Sequence, residues 1–198
     1  STGETVKILI NANNPKTGFL LADLNIQNEK GYTALMLAAK NSIGCVSADT
    51  IRTLINAKNP KTGFPIVDPN VQNKYGQTAL MLASDYDHCI YDCHDDCLAK
   101  KGIEVLINTK NPETGSPIAD LNLQDINGNT ALMSAVRYAL DYNSTWKVGA
   151  LINAENQKTR KHIVDLYIEN KKGETALSIA GNDRRSDISV KVHWMLLF

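Results

Sequence analysis

The chain has 198 residues, of which 43% are apolar, and its 21 acidic and 21 basic residues cancel to a formal net charge of zero. This composition is sufficient for one domain with a buried core, and it lacks the basic excess that is typical of nucleic-acid-binding proteins. No apolar run approaches the ~20 residues that a membrane-spanning helix requires, and residues 1–4 lack the features of a secretory signal. We therefore expect a cytoplasmic chain that binds neither nucleic acid nor membrane.

Two phrases recur along the chain at a fixed distance from each other. A phrase that begins Leu-Ile-Asn is followed 22 residues later by one that begins Gly-x-Thr-Ala-Leu, as from Leu9 to Gly31. The first phrase starts at Leu9, Leu54, Leu106 and Leu151, and the second at Gly31, Gly76, Gly128 and Gly173. The period is 45 residues, with an excess of seven residues in the second copy. Periods of this length indicate stacked supersecondary units, none of which can bury its apolar face alone.

Each unit reads as two helices followed by an extended arm. A threonine precedes each Ala/Leu/Met run, where its hydroxyl can cap a first helix of about nine residues; these threonines are Thr33, Thr78, Thr130 and Thr175. The second helix carries apolar residues at i, i+3 and i+4, on one face: Val6, Leu9 and Ile10; Ile51, Leu54 and Ile55; Ile103, Leu106 and Ile107; Val148, Leu151 and Ile152. A turn of the type Asn-Pro-x-Thr-Gly then starts the arm. We expect proline and pairing between neighbouring arms to order the arms, and mobility at Phe19, Phe64 or Ser116 would count against this.

Together, these motifs resemble the ankyrin repeat family, in a long variant of 45 residues. The resemblance rests on Gly-x-Thr-Ala-Leu-x-x-Ala, on the Leu-Ile pair that ends the second helix, and on an Asp-x-Asn motif at Asp23/Asn25, Asp68/Asn70 and Asp120/Asn122. It implies an all-α helix-loop-helix solenoid with hairpin-like arms. This chain has Ala34, Ala79, Ala131 and Ala176 where the family usually has proline, and Met36, Met81 and Met133 where it usually has histidine. The fourth copy also has Arg160 in place of glycine and Tyr167 in place of asparagine.

The repeat boundaries predict one solenoid domain over residues 1–198. It comprises a half-repeat (1–30), three repeats (31–75, 76–127 and 128–172) and a partial repeat (173–198). Both ends of the sequence fall inside a unit, and the last residues include the apolar Trp194, Met195 and Phe198. Because the ends of a solenoid need polar surfaces, we expect the chain to continue into further repeats or domains; alternatively, these side chains pack inward or against another chain.

The insertion in the second copy contains a dense cluster of cysteine and histidine: His88, Cys89, Cys93, His94 and Cys97. One interpretation is a zinc site formed by the three thiolates and one imidazole. The spacing of the cysteines is looser than a typical zinc knuckle, and on a helix Cys89 and Cys97 would lie about 12 Å apart. The alternatives are one disulfide or, as the pattern favours, reduced thiols in an acidic surface loop. We accordingly predict no resident metal and no cofactor.

No nucleophile elbow, phosphate-binding loop or zinc-protease motif occurs in the sequence, and we predict no catalytic residues. Met36, Met81 and Met133 occupy equivalent positions and should form a row across the stack. This row is either an adaptable apolar strip for a partner or simple packing between first helices, and packing is the favoured interpretation.

The resemblance implies a non-catalytic protein-interaction module, whose partner lies in a concave groove lined by the arms and the first helices. The arm tips are Glu29/Lys30, Lys74/Tyr75, Ile126/Asn127 and Lys171/Lys172. The predicted binding residues are Tyr32, Lys40, Lys74, Tyr75, Gln77, Asp85, Asn127, Asn129 and Arg137. Tyr32, Tyr75 and Arg137 are the strongest candidates because Tyr and Arg carry much interface energy. The alternatives are a solvated polar face, a regulatory or targeting segment of a larger enzyme or effector with catalysis elsewhere, and a zinc-stabilised interaction element.

Overall fold

The structure is a computed structural model that describes residue 12, residues 23–40 and 45–59, residue 63 and residues 65–85, 98–142, 144–182 and 187–197, with the backbone alone for 45–47, 98–101 and 187–188. Within these ranges the helices are α1 (Ala34–Lys40), α2 (Cys45–Ile55), α3 (Ala79–Asp85), α4 (Leu98–Asn108), α5 (Ala131–Tyr142), α6 (Trp146–Ile152), α7 (Ala176–Asn182) and α8 (Asp187–Leu197). No helix in the described part of the chain is long and apolar enough to cross a lipid bilayer.

The helices stack in two layers. The first helices α1, α3, α5 and α7 pack each on the next, and the second helices α2, α4, α6 and α8 do the same. Within each unit the first helix packs on the second. This arrangement confirms the predicted all-α helix-loop-helix solenoid.

Each first helix begins at the predicted threonine cap. Thr33 Oγ1 accepts from the Met36 backbone N–H at 3.2 Å, and the hydroxyls of Thr78, Thr130 and Thr175 make equivalent bonds of 3.3, 3.3 and 3.1 Å. Helices α1, α3 and α7 are described over seven residues each. Helix α5 has 12 residues, and the rings of Tyr138 and Tyr142 stack at 4.7 Å across its last turn, a contact that favours helix at this spacing.

The core lies between the two helix layers. The predicted apolar faces of the second helices are buried, with Ile51, Ile103, Leu106, Val148 and Leu151 fully enclosed. The predicted face of residues 6–10 lies outside the described residues. Met36, Met81 and Met133 are at most 3% exposed and belong to the same core. The packing interpretation of this row is therefore confirmed, and the interpretation as an adaptable surface strip is wrong, since neighbouring helices cover the thioethers.

The arms begin with a hairpin-like outer turn after each second helix. Antiparallel bridges close these turns between Lys58 and Pro65, Lys110 and Pro117, and Glu155 and His162. The third and fourth outer turns pair as expected. The Gln157 N–H donates to Gly115 O at 2.8 Å, and Asn156 Nδ2 donates to Ser116 Oγ at 2.7 Å. Ser116 is thus held by its neighbouring arm, whereas Phe19 and Phe64 lie outside the described residues.

Arg160 occupies the position that glycine takes in the other outer turns, and its φ is +58°. A non-glycine residue in this left-handed region costs about 1–2 kcal/mol, and its exposed pair with Glu155 (Nε–Oε2, 3.8 Å) contributes little. We therefore expect Arg160→Gly to raise the free energy of unfolding by about 0.5–1 kcal/mol in urea denaturation. Arg160→Ala is the control, because it removes the ion pair and keeps the strain. Stabilisation by alanine as large as by glycine would show that strain is not the cause.

The Asp-x-Asn motif fastens each arm to the next. Asp68 Oδ1 accepts from the Asn70 N–H at 2.9 Å and so forms a local turn. Asn70 Nδ2 donates to Ile118 O at 3.0 Å, and Asn70 Oδ1 accepts from the Asp120 N–H at 2.7 Å. Asn25 and Asn122 each make the same two bonds to the following arm. In the fourth arm Tyr167 takes the place of this asparagine and is 85% exposed.

A glutamine four residues before Gly31, Gly76 and Gly128 forms a second ladder of hydrogen bonds between arms, beside the ladder formed by the asparagines. Gln72 Nε2 donates to Gly76 O of its own arm at 2.6 Å and to Gln124 O of the next arm at 2.9 Å. Gln27 and Gln124 make equivalent pairs of bonds. The two ladders hold successive arms in a fixed register, which determines the positions of the arm tips.

Candidate functional site

The arm tips are tight turns organised by an Asn or Asp side chain. In the second arm, Asn73 Oδ1 accepts from the backbone N–H groups of Tyr75 and Gln77 at 2.8 and 2.9 Å. Asn28, Asp125 and Asn170 play the same role in the other arms. The cause is that a short side-chain acceptor can satisfy the donors of a tight turn locally.

Successive tips also bond to each other through the backbone. The Ile126 N–H donates to Tyr75 O at 3.0 Å, and the Lys74 N–H donates to Lys30 O at 3.3 Å. This close approach explains the glycine after each of the first three tips. Gly76 has φ +70°, and a Cβ there would lie 2.7 Å from the Ile126 nitrogen. Only glycine fits such a backbone conformation and such a contact.

The arm tips and the end of α1 line an open cleft of about 400 Å³ that spans the first three arms. Its lining residues are Lys30, Tyr32, Lys40, Tyr75, Gln77, Asp125, Ile126 and Asn127. Five of the nine predicted binding residues, Tyr32, Lys40, Tyr75, Gln77 and Asn127, therefore lie together. Lys74 is exposed at the adjoining tip and Asp85 at the end of α3, whereas Asn129 and Arg137 belong to the next repeat.

The cleft residues differ in what they present to solvent. Tyr32 is 8% exposed, and the Lys40 ammonium lies 5.2 Å from the centre of its ring, so Tyr32 forms the floor and contributes little surface. Tyr75 and Ile126 are 49% and 50% exposed. They are the apolar groups that a bound molecule would contact.

The sequence comparisons agree with this geometry. Residues 1–95 match the family model described as ankyrin repeats in three copies. This match marks the first part of the chain as similar to ankyrin repeats. No curated protein matches the chain. Ankyrin repeats generally serve as protein-interaction modules and are typically non-catalytic, and helices α5 to α8 continue the same stack beyond the matched residues.

Arg137 is engaged with the neighbouring repeat. Its Nη2 lies 3.0 Å from Glu174 Oε2, and its Nη1 donates to Asn129 Oδ1 at 3.3 Å. Asn170 Nδ2 donates to Glu174 Oε2 at 2.9 Å and to Asn129 Oδ1 at 3.0 Å. The hydrogen bond from Asn170, with help from Arg137, lowers the pKa of Glu174. Arg137 and Asn129 thus tie repeats together, and neither lines the cleft.

Asp85 ends α3 between two basic residues. Although its side chain reaches solvent, the surrounding protein removes enough water from the carboxylate to raise the pKa of Asp85. The charges of Lys147 and Arg137 oppose this shift, and that of Asp125 adds to it. Asp85 itself does not line the cleft, whereas Asp125 does.

Among the residues that the structure describes, Lys147 is the largest buried polar side chain, at 0% exposure, and it belongs to no motif of the repeat. It lies in α6, and its Nζ donates to the carbonyls of Ala83 and Ser84 at 3.2 and 3.3 Å. Its ammonium also lies 3.7 Å from the centre of the Tyr138 ring. A cation at the last carbonyls of a helix stabilises that end. Lys147 thus fixes the end of α3, directly before the long insertion of the second repeat.

The cysteine and histidine cluster at His88, Cys89, Cys93, His94 and Cys97 lies outside the described residues. Among the side chains that the structure describes, no group of three or more His, Cys, Asp or Glu residues could hold a metal ion.

Proposed function

We propose that this chain is a non-catalytic interaction module that binds a partner protein in the concave groove formed by the arm tips and the first helices. The observation that carries the proposal is the cleft itself. It runs across three consecutive arms and presents two half-exposed apolar side chains, Tyr75 and Ile126, beside the charged Lys30, Lys40 and Asp125. Exposed aromatic groups of this kind contribute much of the energy of protein interfaces.

The rigidity of the groove supports the same proposal. The asparagine and glutamine ladders hold the arms, and backbone bonds hold the tips. A preorganised surface loses little conformational freedom on binding, so more of the contact energy appears as affinity.

The division between repeated and individual positions is a second support. The threonine caps and the ladder residues recur from unit to unit, because neighbouring units must stack in the same way. The residue after each glycine, in contrast, is Tyr32, Gln77, Asn129 or Glu174. Positions free of the stacking requirement can match one particular partner.

We also propose the repeat boundaries 31–75, 76–127 and 128–172, with partial units at 1–30 and 173–198, and a cytoplasmic location. The helix pairs α1/α2, α3/α4 and α5/α6 each fall inside one of the three proposed repeats.

A random library of displayed twelve-residue peptides, selected on the intact chain, tests the binding function. We expect enriched peptides to lose at least about tenfold in affinity for Tyr75→Ser/Ile126→Ser, because the variant removes the apolar contacts. Tyr167→Ser is the matched control, since Tyr167 is exposed but does not line the cleft. Arg137 is not substituted, because its loss would remove the contacts with Glu174 and Asn129 that join two repeats. Peptides that bind the double variant as tightly as the original chain would contradict the proposal.

A further inference from the structure

We propose that the groove recognises an extended peptide segment with an acidic side chain at one end, an apolar side chain in the middle and a basic side chain at the other end. This inference rests on the proposed function and specifies the chemistry of the partner.

The first end of the cleft is basic. Lys30 and Lys40 line it. Lys74 is exposed at the adjoining tip, and the Lys74 backbone N–H donates to Lys30 O. Glu29 shares the first tip with Lys30 but does not line the cleft. Three ammonium groups on two neighbouring tips and one helix end favour a carboxylate in this position.

The middle of the cleft is apolar. Tyr75 and Ile126 are each about half exposed and belong to tips that are joined by the 3.0 Å bond between Ile126 N and Tyr75 O. The two apolar side chains therefore lie on neighbouring tips and line the same cleft. An aromatic or large aliphatic side chain of the partner would bury both, and the free energy of binding would become more favourable by about 25 cal/mol per Å² of apolar surface buried.

The other end is acidic. Asp125 lines the cleft at the third arm tip. Asp125 Oδ1 accepts from the backbone N–H groups of Asn127 and Asn129 at 2.8 Å each, and Oδ2 accepts from Asn129 Nδ2 at 3.3 Å. A carboxylate offers about four acceptor positions, so Asp125 can accept from one further donor, such as a lysine or arginine of the partner.

The spacing of the repeats sets the length of the segment. Packed helices lie about 8–10 Å apart, so the first and third units are separated by roughly 16–20 Å. An extended chain spans about 3.3 Å per residue. The acidic and basic side chains of the partner should therefore be about five or six residues apart, with the apolar residue between them. Either chain direction satisfies this pattern.

The peptides selected in the library test this inference without further assumptions. We expect those that depend on Tyr75 and Ile126 to share an acidic, an apolar and a basic residue in this order or its reverse, at this spacing. Groove-dependent peptides without the pattern would overturn the inference and leave the proposed function standing. A library that yields no groove-dependent peptide would overturn both.

A double-mutant cycle tests whether the acidic residue of the peptide lies beside Lys30. One synthetic peptide from the selection and its Glu→Gln or Asp→Asn version are titrated against the original chain and Lys30→Gln. We expect Lys30→Gln to weaken the acidic peptide about two- to fivefold at low salt and to leave the amide version unchanged. Lys172→Gln is the matched control, because Lys172 holds the equivalent tip position in the fourth arm. Equal weakening of both peptides by Lys30→Gln would overturn the placement of the carboxylate.

Discussion

Replacing Gly128 by alanine should lower the free energy of unfolding by about 2–4 kcal/mol, whereas Gly173→Ala should lower it by about 1 kcal/mol or less. Both glycines have positive φ, +81° and +72°, so both substitutions introduce backbone strain of about 1–2 kcal/mol, partly offset because alanine restricts the unfolded chain. They differ in their surroundings. A Cβ at Gly128 would lie 2.9 Å from Asn170 Cα and from Lys171 N, whereas a Cβ at Gly173 would meet nothing within 4 Å.

The difference between the two variants isolates the contact between repeats. The atoms near Gly128 are backbone atoms of the fourth arm, which the ladders hold in place, so overpacking there costs a further 1–3 kcal/mol. Urea denaturation of both variants, followed by circular dichroism under the same conditions, measures the difference. Equal losses would mean that the tips separate readily and that the groove is not rigid.

Replacing Lys147 by alanine should lower the free energy of unfolding by about 3 kcal/mol. The substitution leaves a cavity where a fully buried side chain stood, and it removes the donor from the Ala83 and Ser84 carbonyls. Unsatisfied buried acceptors cost about 1–3 kcal/mol, and large-to-small core changes cost about 2–5 kcal/mol. The effect should appear in urea denaturation and as faster amide exchange at the end of α3.

Lys147→Met separates packing from charge. Methionine fills much of the same volume but provides neither the donor nor the contact of an ammonium with the Tyr138 ring, so we expect it to recover part of the loss. Lys171→Ala, at an exposed arm tip, should change stability by less than about 0.5 kcal/mol. If Lys147→Ala changes stability no more than Lys171→Ala, the buried lysine does not hold the end of α3.

Local features of the fold were predictable because the residues that cause them are neighbours in sequence. A threonine beside its own helix produces the cap at Met36, and apolar spacing at i, i+3 and i+4 produces the buried face at Leu54. The 45-residue period then determines which elements stack. The role of Lys147 was not predictable, because the carbonyls that it binds at Ala83 and Ser84 are more than sixty residues away.

The candidate site was predictable only in part. Position within the repeat indicated Tyr75, Gln77 and Asn127, which line one cleft. It could not reveal that Glu174 would bind Arg137, because that contact depends on the side chain of the next repeat. Asp125 was not predicted to line the cleft. Its position in the repeat could have indicated it, because Asp125 takes the same place in its arm as Asn73 takes in the preceding arm. The glutamine ladder was also present in the sequence, at Gln27, Gln72 and Gln124.

A partner that occupies the groove should contact the arm tips and the first helices. A titration of the isotopically labelled chain with one selected peptide, followed by NMR chemical shifts, tests this most directly. We predict that the backbone signals of Lys30, Tyr75 and Ile126 shift most, together with those of α1 and α3. Shifts confined to the second helices α4 and α6, with the arm tips unchanged, would contradict the account.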